Sequence, residues 1–121
     1  MTIGEAITQV NELRPNTYTA REKINWLRRV ENMVYRTVLA HYNGTPEYED
    51  FGEDTALDRQ LIVPEPWNVL YVHWLEAQIH YANGEYDRYN NAIMVFHDNL
   101  AGYQGEIARN FTPKEHARFR F

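Results

Sequence analysis

Apolar residues recur at helical spacing in four stretches of the chain, and the stretch between the second and third has no period. The first line is Ile3, Ala6, Ile7, Val10 and Leu13, a short amphipathic helix that must stop near Pro15, because the residue before a proline is disfavoured from helical geometry. The second runs from about Ala20 to Tyr42 on Ile24, Leu27, Val30 or Glu31, Val34 and Val38, with Gly44 placed to end it in a left-handed conformation. Thr2 with Glu5 and Thr19 with Glu22 have the capping-box spacing that starts such helices. Arg21, Lys23, Arg28, Arg29 and Arg36 fall mostly on the opposite side of the second helix. Pro64 and Pro66 open the third, where a proline in the first turn removes no bond the helix needs. From Trp67 to Ala82 it is apolar nearly all round, which predicts a central helix or one held between its own domain and a neighbouring subunit. Asn83 and Gly84 end it, and the fourth helix follows at once with Tyr86, Tyr89, Ile93, Phe96, Leu100 and Tyr103 on one stripe. So short a connection predicts an antiparallel pair. After Gly105 the pattern decays into a tail over 109–121, containing Pro113 and ending Arg118, Phe119, Arg120, Phe121.

Residues 45–63 hold Pro46, Gly52 and a run of acids. Irregular segments of this length inside a compact domain are uncommon and usually functional. Tyr48, Phe51 and the run Leu61, Ile62, Val63 allow a small β-hairpin there. The expected fold is mostly α: a compact bundle of about four helices over 1–108, a long acidic loop between the second and third, and an extended C-terminal tail acting as a docking segment.

Composition narrows the class. A length of 121 residues gives one domain and one core. The absence of cysteine removes disulfides, thiolate metal sites and thiol nucleophiles, and favours a cytosolic setting. No apolar run reaches the roughly 20 residues of a membrane helix, and Met1 to Val10 lacks the basic start and apolar centre of a signal peptide. Aromatic residues make up 14%, with nine Tyr, a residue suited to partly wet interfaces. The net charge of -5 is unevenly spread. Residues 1–46 carry six Lys or Arg against four acids, and residues 47–63 carry six acids against Arg59. Residues 64–105 carry five acids against Arg88, and the remainder four Lys or Arg against two acids. Basic ends around an acidic middle do not make a nucleic-acid binder, which needs cations clustered on one face. The asymmetry suits docking on copies of the same chain or on a charged partner.

Little in the sequence points to catalysis. His73, Glu76 and His80 share a face of the third helix, but metal-binding helices usually pair His at i and i+4, and no second cluster completes the sphere. Hydrogen-bonded polar residues on a helix face are the favoured reading. His97, beside Asp98, makes no dyad by adjacency, and His41 and His116 are isolated. Glu53, Asp54 and Asp58 do not follow Ca²⁺-loop spacing, so a solvated, self-repelling loop is expected. Nucleophile elbows, phosphate loops and dinucleotide fingerprints are missing. The expectation is a non-enzyme without metal or cofactor. Four tail cations without a longer apolar face do not hold a membrane.

The segment Leu61 to Trp67, followed by Leu70, Tyr71, Trp74 to Ile79, Tyr81 to Glu85 and Tyr89 to Asn91, resembles the small head-tail connector proteins of tailed bacteriophages, also called adaptor or head-completion proteins. The likeness is greatest to those of long-tailed phages of Gram-positive hosts. Asn11 to Asn16, Lys23 to Leu27 and the loop acids before Leu61 also fit, so the resemblance spans nearly the whole chain. It implies a helical subunit of a homo-oligomeric ring, expected to be dodecameric, below the portal protein at the capsid vertex of the virion, assembled in the bacterial host cytoplasm. Such a ring extends the channel through which packaged DNA passes without sequence-specific binding, and presents the surface for a stopper or tail-completion protein. The resemblance implies that residues 109–121 reach the portal, although the Arg-Phe ending departs from the family's usual tails.

On this reading Glu49, Asp50, Glu53 and Asp54 face the channel, where they repel phosphates. Trp67, Tyr71, Arg109 and Arg118 to Phe121 serve interfaces. Among the aromatics, Trp26, Trp67, Trp74, Tyr89 and Phe96 lie on core-like lines, whereas Tyr48, Phe51, Phe111, Phe119 and Phe121 are assigned to neighbours because a single small domain has little interior left for them. The competing reading is a helical interaction or regulatory module acting through a surface of the third and fourth helices. A third, a metal-dependent hydrolase on His73, Glu76 and His80, predicts bound metal.

Overall fold

The computed structural model describes residues 1–114. Four helices follow the apolar lines: α1 over Ile3–Leu13, α2 over Ala20–Thr37, α3 over Leu70–Ala82 and α4 over Tyr86–Asn110. The fold is therefore the mostly helical bundle expected, with a small antiparallel sheet of β1, Tyr42–Asn43, and β2, Thr112–Pro113. No strand forms within residues 45–63 apart from one bridge between Thr2 and Gln60, so the antiparallel pairing lies beside the loop instead of inside it.

Thr2 and Glu5 form a complete capping box: the Glu5 amide donates to the Thr2 hydroxyl and the Thr2 amide to the Glu5 carboxylate. At α2 only half of the box forms, with Thr19 accepting from the Glu22 amide while its hydroxyl donates to the Glu22 carboxylate. That helix ends at Thr37, earlier than Tyr42. The Thr37 hydroxyl bonds back to the Met33 carbonyl at 2.7 Å, a contact that loosens a helix end. Leu39–His41 then form a 3₁₀ turn, and Tyr42 is drawn into extended pairing with Pro113.

The apolar α3 is the centre. It packs against α1, α2 and α4, and Leu70, Tyr71, Leu75, Ala77 and Ile79 are buried. Its entrance is a 3₁₀ turn over Trp67–Val69, behind the two prolines. Gly84, with φ of 75°, makes the tight reversal into α4 that a residue with a side chain adopts only under strain. The Trp67 ring lies against α4 at Gly102, where a Cβ would come within 2.3 Å of it. The α4 stripe continues from Tyr103 to a buried Ile107, so this helix outruns Gly105 by five residues. Arg109 and Asn110 finish it, Phe111 packs on the core, and β2 pairs with β1. The described part of the expected docking tail is thus integrated into the fold.

Segment 44–63 runs back along α2 and ties to the N-terminal end of the chain. The Ile3 and Gly4 amides donate to the Arg59 and Leu57 carbonyls, and the Leu61 amide donates to the Met1 carbonyl. Among the described residues no helix is long and apolar enough to cross a membrane.

Candidate functional site

Residues assigned to interfaces or to a channel fall in three settings. Tyr71 is fully buried in the core of the single chain, and Phe51 is 7% exposed. Both were expected to serve neighbours. The physical reason for the difference is that the acidic segment folds down on α2 and closes a second side of the core, creating interior that four helices alone lack. Tyr48 and Phe111 pack half-buried against the same core, and Trp67 is half-buried with its indole nitrogen enclosed and, among the described residues, unpartnered. Arg109 is exposed on the last turn of α4. Arg118, Phe119, Arg120 and Phe121 lie outside the described residues.

The acids of the segment are not a free, self-repelling run. Arg21, Asn25, Arg28 and Asn32 make one polar stripe along α2, and the segment lies on it. Asp50 takes two hydrogen bonds from Arg28, at 2.9 and 2.7 Å, and further ones from Asn32, the Tyr48 hydroxyl and the Phe51 amide. Glu53 pairs with Arg21 at 2.7 Å and accepts from Asn25, and Asp54 also meets Arg21. Glu49 offers its backbone carbonyl to Arg59, while among the described residues its carboxylate enters no ion pair. Hydrogen bonding from Arg28 holds the Asp50 carboxyl well below the usual range.

This pairing makes a prediction. The folded-state pKa of Asp50 is depressed, so the strap is intact above the ordinary aspartate range and is lost as pH falls through the lower folded value. Asp50→Ala should raise hydrogen exchange at the Phe51 amide by about tenfold or more while α3 amides stay protected. Unchanged exchange at Phe51 would contradict the strap.

Beneath the strap sits a buried carboxylate. Glu31, 2% exposed, accepts from the Ile62 amide at 2.9 Å and from the Tyr71 hydroxyl, which itself accepts from the Val63 amide at 2.9 Å. One acid of α2 therefore fixes the run Leu61 to Val63 that leads into α3. Burial pushes the Glu31 carboxyl up, against the lowering effect of those bonds and of Arg59. Burial and the nearby Glu31 hold the Tyr71 hydroxyl protonated far above its ordinary value. Lys23 is likewise buried, its ammonium donating to the Tyr18 carbonyl at 2.6 Å.

His73, Glu76 and His80 do converge, around an open cleft between α3, α4 and the end of α1 of about 410 Å³. Two residues to which the sequence reading gave no part in this cluster complete it. Arg14 donates to Glu76 at 2.9 Å, and Glu85 meets His80 Nδ1 at 2.8 Å. The Glu76 carboxylate is thus engaged by a guanidinium, with His73 and His80 at 3.5 and 3.6 Å. Among the described residues no group of three or more His, Asp or Glu is arranged to hold a metal ion. The cluster ties the end of α1 to α3 and the α3–α4 turn.

The surface left bare is apolar at the α3–α4 turn. Tyr81 and Tyr86 are 58% and 59% exposed and stack edge to face at 5.6 Å, with Tyr89 also on Tyr81. Tyr86, expected on the packed stripe, is outside because among the described residues no further helix covers this end of the bundle. Met94 and Val95 are also exposed on α4, Val95 on the side that lines the cleft with His73 and His80.

Compared with known proteins, the chain matches no family model, and no curated protein or solved structure is significantly similar to it.

Proposed function

We propose that this chain is a structural virion protein, the subunit of a head-tail connector ring between the portal and the tail of a long-tailed bacteriophage. The support is the resemblance carried by residues 61–91, together with one observation: that segment forms the central helix and the start of α4, and leaves Tyr81 and Tyr86 uncovered side by side on a single chain. Large apolar residues grouped on a surface are what a neighbouring subunit covers, and in a ring one patch meets a different one on the next copy until rotation closes. Residues 109–121 are the proposed portal contact, and the opposite end meets a stopper or tail-completion protein. Packaged DNA passes through the channel. Of the acids Glu49, Asp50, Glu53 and Asp54, only Glu49 is uncommitted to an ion pair among the described residues, so it is the one left to repel phosphates along the channel.

The open cleft beside Arg14, His80 and Val95 favours the second reading, a helical module that binds a partner on its α3 and α4 surface. Particles produced without the chain separate the two. As a connector, its loss should give heads that package DNA, fail to retain it and carry no tail. Normally tailed, infectious particles would rule the connector out.

A further inference from the structure

The cleft between α3 and α4 has donors at its rim and bare acceptors at its floor. His80 is 3% exposed, and its Nδ1 lies 2.8 Å from the Glu85 carboxylate, which when ionised only accepts, so the Nδ1 proton is donated to it. That bond holds the Glu85 carboxyl below its ordinary value. A neutral imidazole protonated at Nδ1 keeps its lone pair on Nε2. Among the described residues that Nε2 makes no hydrogen bond, and it faces Glu76 Oε2 at 3.6 Å, a second acceptor already taken by Arg14. The other oxygen of the carboxylate, Oε1, is bare. His73 Nδ1 stands 3.5 Å from it without hydrogen-bonding to it. Glu76 is 8% exposed, and it and His80 both line the cleft. Two acceptors on deeply buried side chains are therefore turned toward open space with no donor to meet them, the condition that a donor-bearing ligand relieves.

The opposite wall supplies the complementary chemistry. Arg88, Asn91, Ala92 and Val95 recur at helical spacing on one face of α4 and line the cleft across from His73, Glu76 and His80. Arg88 and Asn91 are exposed, and the Arg88 guanidinium is 3.9 Å from Glu85, too far for a hydrogen bond. Ala92 and Val95 are apolar. Around the cleft Arg14 and Arg88 balance Glu76 and Glu85 in charge. A lone cation would bring its charge against the arginines and a lone anion against Glu76, whereas a zwitterion pairs with both.

We propose that this cleft binds a free α-amino acid with an apolar side chain. Its ammonium, which has three donors, hydrogen-bonds Glu76 Oε1 and His80 Nε2, and its carboxylate lies toward Arg88 and Asn91. The side chain rests on Ala92 and Val95. Glu85 is a positioning residue, because its bond to Nδ1 keeps the His80 lone pair on the cleft side. The volume, about 410 Å³, falls in the range of small-molecule sites. This site goes beyond the connector reading and does not rest on it.

Titration of the full-length protein, its histidine rings labelled with ¹⁵N, with L-leucine tests the assignment by NMR. The His80 Nε2 resonance should shift saturably, with a Kd on the order of 1 mM. Three relatives of leucine each lack one part: 4-methylpentanoate has no ammonium, 3-methylbutylamine has no carboxylate, and N,N,N-trimethyl-L-leucine keeps both charges without an N–H. Each should bind at least about tenfold more weakly than leucine. Arg88→Ala should weaken leucine binding about fivefold. A His80 resonance unmoved by roughly 50 mM leucine overturns the proposal. Equal binding of any of the three relatives also overturns it, as does unchanged affinity in Arg88→Ala. None of these results bears on whether the chain belongs to a connector.

Discussion

Replacing Glu31 by alanine is expected to lower stability by about 3 kcal/mol, because it strands two buried donors at once, the Tyr71 hydroxyl and the Ile62 amide. For a domain of this length that is a fall in Tm of roughly 10 °C. Glu31→Gln should cost less, since one amide oxygen still accepts. The pH dependence separates the two forms of the acid. Burial raises the folded-state pKa of Glu31 above its ordinary 4.5, so its contribution is complete below that value and diminishes as pH rises through the raised one. The advantage of the wild-type protein over Glu31→Gln should therefore shrink from acid to neutral pH. Chemical denaturation of both proteins across that range measures it. An advantage that grows with pH would show that the hydrogen bonds outweigh burial.

Phe51→Ala should cost about 3 kcal/mol in the isolated subunit, the usual scale for deleting a buried ring. The number discriminates between two roles. A phenylalanine reserved for a neighbouring subunit would leave the unfolding of one chain unchanged on substitution, and would change only association. Here the ring lies under the strap, with Arg59 stacked 5.0 Å from its centroid, so its loss should also loosen the segment that Asp50 holds. Unaltered unfolding of Phe51→Ala would return this residue to the interface.

The parts of the fold written in local pattern were legible. The apolar girdle of α3, the hydroxyl caps of α1 and α2 and the Asn83-Gly84 reversal each depend on residues a few positions apart, which is the range over which periodicity and capping act. What escaped depends on partners far away in the chain. Arg28 meets Asp50 across 22 residues, Arg14 meets Glu76 across 62, and Tyr42 is pulled out of helix by Pro113, 71 positions on. One signal for the strap was present. Arg21, Asn25, Arg28 and Asn32 repeat at helical spacing as a polar stripe, and an acidic segment directly after such a helix has a ready counterpart. Without that pairing the loop looked solvated, and Phe51 and Tyr48 looked homeless. The end of α4 was missed for a related reason: Ile107 continues the stripe one turn past Tyr103, and only the packed structure shows Phe111 against the core and the Lys114 amide on the His41 carbonyl.

Two surfaces now bear on assembly. The exposed tyrosines at the α3–α4 turn lie one α4 length, roughly 36 Å, from the C-terminal end of that helix. The groove of Tyr35, Glu47, Tyr48 and Glu49 is a separate place, near the C-terminal end of α2. A subunit with distinct patches at separate places is suited to heterologous contact, in which each copy gives one surface and receives the other.

The most direct test of the proposed connector role is negative-stain imaging of the purified protein mixed with a portal protein from the same source. The account predicts a ring of this chain stacked coaxially on the portal, and its loss when residues 109–121 are removed from a chain that still folds. A protein that stays monomeric or dimeric beside unmodified portals would contradict it.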